Sequence, residues 1–325
     1  MVHILLYAIV PIIVVMLAGY ISGKKGIFSA KDGKAFNKVV LDYALPAALF
    51  VSIVDADRDM LVKDLKLSII SLVVIMVCFM IVYFIYAKCF KGLNGADGAI
   101  MALVNGSPTI GFLGFAVLEP IFGTTPYVAL VVAIVGIVVN AVGIPVGLSL
   151  LNNSLSKTAA ANSTTTQHNS VWKSVLHALA QPVAWAPILA VIWVVAGIPW
   201  PKYLSPSFDL IKGANASMAV FAAGITLSAF KININWQAIL GMLLKMVMMP
   251  AMLLIVGLIF HMDKLNLEML VVAGALPPAF SGIIIADEYD TYVSTSTSSL
   301  ALSVVLFIVF CPLWIWITES CYSMF

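Results

Sequence analysis

The chain has 325 residues, 62% of them hydrophobic and only 10% charged, and its mean hydropathy is +1.08. Soluble domains carry roughly 25% charged residues, so composition assigns most of this chain to a lipid bilayer. A net charge of +2 with no basic run excludes a phosphate-tracking surface, and no nucleic acid is expected as a partner. The four cysteines (Cys78, Cys89, Cys311, Cys321) show neither a disulfide framework nor metal-ligand spacing, so no metal or cofactor is expected.

A membrane-crossing helix needs about 20 apolar residues. Ten such spans are predicted, at 4–21, 36–54, 66–87, 97–118, 127–150, 178–198, 207–229, 236–260, 267–286 and 293–317. The chain turns apolar directly after His3, without a basic leader or small-residue cleavage site, so the first run reads as a retained span. The second span carries Asp42, the carboxylate deepest in a predicted helix. It reads as a coupling-proton site or, by preference, as the i+4 partner of Lys38.

The fourth span contains Asn105-Gly106-Ser107-Pro108-Thr109-Ile110-Gly111-Phe112-Leu113-Gly114, proline and glycines inside an apolar run. Proline removes a donor and clashes with the preceding turn, so the helix is expected to break there. The ninth span repeats the pattern with Pro277 and Pro278. In lipid a broken helix persists only where protein or a water-filled cavity re-satisfies its backbone. Two proline- and glycine-interrupted spans at corresponding places are the sequence pointer to a transporter's substrate site.

Between the fifth and sixth spans, the Ser/Thr/Asn/Ala-rich stretch 152–170 reads as a linker joining 1–151 to 171–325. The halves read as diverged copies. Pro108 and Pro277 each precede a glutamate, Glu119 and Glu288, by eleven residues, and Phe50 aligns with Phe221. An odd number of spans per copy makes the second copy enter from the opposite side, an inverted repeat. The lysines of the first loop (Lys24, Lys25, Lys31, Lys34, Lys38) predict that loop, and the linker, to be cytoplasmic and both termini extracellular.

At the broken spans the chain resembles the auxin efflux carrier family, which includes plant PIN carriers and bacterial malate and malonate permeases. The residues that carry the resemblance are Ala275-Leu276-Pro277-Pro278-Ala279 with Ala286-Asp287-Glu288-Tyr289, Leu45-Pro46-Ala47-Ala48-Leu49-Phe50, and Gly111-Phe112-Leu113-Gly114. The short linker favours the bacterial permease branch. The resemblance implies an all-α membrane protein of ten helices in two inverted five-helix repeats. Broken helices 4 and 9 cross near the membrane middle, and a scaffold of helices 1, 2, 6 and 7 holds a mobile unit that works as an elevator. Thr109, Ala116 and Ser217 stand where the family usually has Asn, Pro and Pro.

Helix N-termini at such a crossing offer unpaired N–H groups and partial positive charge, an anion site without a cationic side chain. The single arginine, Arg58, falls in a predicted outer loop. The expected substrate residues are Asn105, Ser107, Pro108, Thr109 and Gly111 from one span, and Pro277, Pro278, Ser281 and Gly282 from the other. The competing reading is that these small residues only permit tight helix packing. Lys245 lies nine residues into the eighth span, roughly 14 Å along the helix and near mid-membrane. A functional role, compensating substrate charge or forming a pairing that switches between states, and structural pairing with a carboxylate or with helix C-terminal carbonyls are equally weighted readings for it. Pro46, Asn215 and Ser217 are assigned to the scaffold side, where Asn215 is within reach of substrate.

The chain is thus expected to be a plasma-membrane secondary transporter of small organic anions, a dicarboxylate such as malate or malonate, and not an enzyme. The alternatives are a transporter of an auxin-like monocarboxylate, or a cation/proton antiporter with crossed helices. The antiporter would need carboxylates at the crossing, where this chain has hydroxyls and amides. Expected partners are the anion and the bilayer, while coupling to a proton or sodium ion and pairing into a homodimer stay open.

Overall fold

The computed structural model describes residues 9–54, 65–161, 182–229 and 233–323, and almost all of them are helical. Arg58 and the linker residues 162–170 lie outside the described residues. Helix α1 (Val10–Lys24) opens with Pro11, whose missing N–H is no loss in a first turn. Helix α2 starts as Ala30–Val39 under a capping box in which Ser29 and Asp32 bond each other's backbone. It widens into a π turn at Val40–Ala44 and continues as Leu45–Val54. Helix α3 (Leu65–Phe84) ends in a second π turn, Ile85–Cys89.

Helix α4 (Gly95–Asn105), boxed by Asn94 and Asp97, stops short of Pro108, and α5 (Ile110–Phe122) resumes beyond it. Helix α6 runs as Pro126–Ile137, a π turn Val138–Gly143, then Ile144–Ala161. Helices α7 (Pro182–Val195) and α8 (Ser205–Ala229) follow. Helix α9 comprises Trp236–Leu243, a π turn Leu244–Met248 and Met249–Ile259. The ninth span is again two helices, α10 (Lys264–Ala275) and α11 (Phe280–Glu288), and α12 (Val293–Tyr322) closes the chain.

Among the described residues five stretches are long and apolar enough to cross a membrane: Lys66–Cys89, Pro126–Lys157, Lys202–Ala229, Trp236–Ile259 and Val293–Tyr322. Val10–Lys24 and Ile110–Phe122 are shorter apolar helices. The chain is a helical, multi-pass membrane protein. Residues 152–161, expected as linker, belong to α6, where the Ser156 hydroxyl donates to the Asn152 carbonyl one turn back at 2.7 Å and so is accommodated within the helix.

The helices form one connected bundle in which two sets of contacts stand out, joined where α2 meets α6 and α8 meets α5. Helix α8 lies against α1 and α2, and α7 lies against α2. Gly19 meets the backbone of Phe221 and Gly23 meets Ser228, so these contacts advance together and α1 runs parallel to α8. A Cβ on Gly224 would sit 2.8 Å from the Tyr20 nitrogen, so this interface depends on small residues. In the other set α4 packs against α3, α6 and α11, while α9 packs against α10 and α12.

Candidate functional site

The two chain breaks meet. Pro108 and Pro278 form an antiparallel bridge, the Thr109 N–H donates to the Pro277 carbonyl at 3.0 Å, and the Ala279 N–H donates to the Val104 carbonyl at 3.0 Å. Prolines stop the helices, and the freed backbone groups on each side are satisfied by the opposite break. The approach is close because Gly282 has no side chain: a Cβ there would lie 2.7 Å from the backbone of Leu103 and Val104. Gly282 therefore serves packing between α11 and α4, which is the role small residues play in membrane helices.

A cavity of about 360 Å³ opens beside this crossing. Thr109, Ile110, Gly111, Phe280, Ser281 and Asn140 line it, and Glu288 and Tyr289 stand at the far end of α11. Among the described residues the N–H groups of Ile110, Gly111, Phe280 and Ser281 find no backbone carbonyl, as the first turns of α5 and α11 require. Two helix N-termini thus face one space, each equivalent to about half a positive charge. The Thr109 side chain does not cap α5: it is 2% exposed, and its Oγ1 has no hydrogen-bond partner. The Phe112 and Phe280 rings, one from each broken helix, pack edge to face at 5.8 Å and give the cavity an apolar wall. Among the described residues no Lys, Arg or His lines it.

The other expected residues divide by position. Gly111 lines the cavity and brings α5 close to α2, where a Cβ would meet Leu45 at 3.0 Å. Pro108 lines it, whereas Pro277 and Pro278 hold the bridge. Ser107 is buried beside Gly143 of the α6 π turn. Asn105 is fully buried on the other side of α4, where its Oδ1 accepts from the Ser299 hydroxyl at 2.7 Å and fastens α4 to α12. Asn140 lines the cavity from the α6 π turn while its Nδ2 donates to the Gly136 carbonyl at 2.9 Å. A lone polar residue in an apolar run marks burial, but not which cavity it meets.

Lys245 is completely buried, and its ammonium donates to the Gly274 carbonyl in the last turn of α10. The ion pairs among the described residues do not include it. Its charge is set against a helix C-terminus, where carbonyls and the dipole favour a cation. The α9 π turn that carries it is held from outside by Trp314, whose Nε1 donates to the Met246 carbonyl at 2.8 Å. Lys245 therefore supports the broken helix from its carbonyl end, opposite to the N–H groups that face the cavity.

Asp42 does not pair with Lys38 among the described residues. The π turn from Val40 breaks the 3.6-residue register on which an i,i+4 pair depends. It follows Leu41, which lines the crossing cavity. Pro46 is buried within α2. Ser217 belongs elsewhere: with Pro11, Phe115, Ala116 and Glu119 it lines a second cavity of about 460 Å³ between α5 and the α1–α8 pair. Asn215 precedes this lining on α8. It is 2% exposed and both of its amide atoms lack partners. At the rim of the second cavity Glu119 and Lys212 form an ion pair at 4.0 Å, and at the opposite end of the broken helices Lys34 pairs with Asp287 at 3.5 Å.

Residues 4–315 match the family described as membrane transport protein. The "Uncharacterized transporter YfdV" of Escherichia coli (strain K12) is 49% identical over 311 residues, 96% of each chain. An "Uncharacterized transporter" of Methanothermobacter thermautotrophicus is 24% identical over 307 residues, covering 94% of this chain and 96% of its own. The "Probable auxin efflux carrier component 9" of Oryza sativa is 24% identical over 148 residues, 42% of this chain and 34% of its own. The relatives are transporters and not enzymes, and with a full-length family match the chain belongs to the membrane transport protein family, the family of the auxin efflux carriers.

Proposed function

We propose that the protein is a secondary transporter of small carboxylates, with malate and malonate as the leading candidates, and that substrate binds in the cavity at the crossing. The observation that carries this is the pair of unpaired helix N-termini facing the buried, partnerless hydroxyl of Thr109. Their N–H groups and partial charge suit a carboxylate, the hydroxyl can donate to it, and the apolar wall suits a short carbon chain. In this reading the chain is an inverted repeat of two five-helix units. Helices α1, α2, α7 and α8 are the scaffold, and the broken helices move against it with their neighbours.

The crossing cavity extends along α11 to Glu288, whereas the second cavity ends short of the crossing. This supports a state open on the Glu288 side and closed on the Glu119 side. With the first loop cytoplasmic by its lysines, that state faces the cytoplasm. The test is uptake of labelled malate and malonate into proteoliposomes under imposed pH and voltage gradients. Saturable uptake that Thr109→Val weakens is the expected result. Uptake of neither compound would overturn the dicarboxylate assignment and turn the search to other organic acids.

A further inference from the structure

Resting on that reading of the crossing, we propose that the cavity selects by charge and takes a substrate with one net negative charge, so that a dicarboxylic acid enters as its singly protonated form. The charge inventory carries this. The positive potential in the cavity comes from the N-termini of α5 and α11, about half a unit each and about one unit together. Among the described residues no Lys, Arg or His side chain adds to it, and the charged residue among those lining the cavity is a carboxylate, Glu288.

Neighbouring charges do not change the balance. Lys245, the buried cation, donates to the carbonyl end of α10, so it offsets negative helix-end charge behind the crossing. Asp287 is paired with Lys34. Asp290, two residues beyond the end of α11, is a further negative group. One carboxylate therefore neutralises the two helix ends, while a second meets no opposing charge and the repulsion of Glu288 at the entrance. Glu288 is a specificity-determining residue in this account, exposed and so partly screened by solvent.

Malonate and its monoamide, malonamate, have nearly the same size and differ by one charge, which makes them the probes. Their affinities for the purified full-length transporter in nanodiscs are measured by calorimetry at about pH 5 and about pH 8, across the second ionisation of a dicarboxylic acid. At the higher pH malonamate is expected to bind about tenfold or more tightly than malonate, with the gap closing at the lower pH. Glu288→Gln should narrow that gap about threefold, because removing the entrance charge relieves the dianion more than the monoanion and so tightens malonate more than malonamate. Malonate binding as tightly as malonamate at the higher pH, or a gap unmoved by Glu288→Gln, would overturn the charge rule and leave the carboxylate site standing. Binding of neither compound at either pH would remove the carboxylate site itself, and the rule with it.

Discussion

Thr109 is the side chain whose buried polar atom has no partner at the crossing, and an orphaned hydroxyl in an apolar setting costs about 1–3 kcal/mol. A substrate oxygen would recover that cost. Thr109→Val keeps the shape and removes the hydroxyl, so folding stability should hold or rise slightly. Carboxylate affinity should fall about tenfold, the value of a hydrogen bond to a charged group. Thermal unfolding and ligand titration of the same preparation separate the two effects. Lys245 carries the opposite logic. Replacing a buried charge by an apolar side chain of similar volume is often neutral or stabilising, so Lys245→Met should fold and melt near the wild-type temperature. It should nonetheless lose most uptake, because the carbonyl end of α10 then lacks its compensating cation. A variant that unfolds, or one that transports normally, would contradict this role.

Among the elements, the broken helices depend on how closely α11 crosses α4. A Cβ on Gly282 would press on the Leu103 and Val104 backbone at 2.7 Å, where neither neighbour can yield as a flexible side chain would. Gly282→Ala should cost about 1–3 kcal/mol, as overpacking does. It should also weaken the Ala279-to-Val104 bond, and uptake should fall with stability. A melting temperature within a degree of wild type would show that the crossing tolerates the extra carbon. The π turns of α2, α6 and α9 fall beside the same region: Leu41 and Asn140 line the cavity, and Lys245 braces α10. Extra-wide turns at functional positions are a recognised pattern.

For the whole molecule, the contact that would bear on state under the proposed movement is the ion pair between Glu119 of α5 and Lys212 of α8, whose side chains are 27% and 23% exposed. The Lys34–Asp287 pair is more open, at 60% and 42%. Exposed pairs contribute about 0–1 kcal/mol, so the half-buried pair should weigh more on the balance between states. Glu119→Gln is expected to shift that balance away from the Glu288-open state, up to about fivefold. The readout is labelling of a cysteine introduced at Ser281 by a membrane-impermeant thiol reagent, in a background lacking the exposed Cys89. Labelling from the Glu288 side should fall. Unchanged labelling would remove the pair from state control without touching the carboxylate site.

The sequence by itself determined the membrane environment, the near-total helicity and the two proline breaks. Each of these follows from composition or from backbone chemistry that acts locally. It also made the candidate cavity partly legible, because Pro108, Thr109, Gly111 and Ser281 line it. Tertiary structure alone decided which face of each helix met that cavity. Asn105 turned to Ser299, Gly282 to the α4 backbone and Asn140 into the lining, since a polar residue in an apolar run signals burial without naming its neighbour. The expected Asp42–Lys38 pair failed for a related reason: π turns shift helical register, and composition does not announce them. Lys245 was conspicuous in the sequence, yet only the fold could bring Gly274, twenty-nine residues away, to its ammonium.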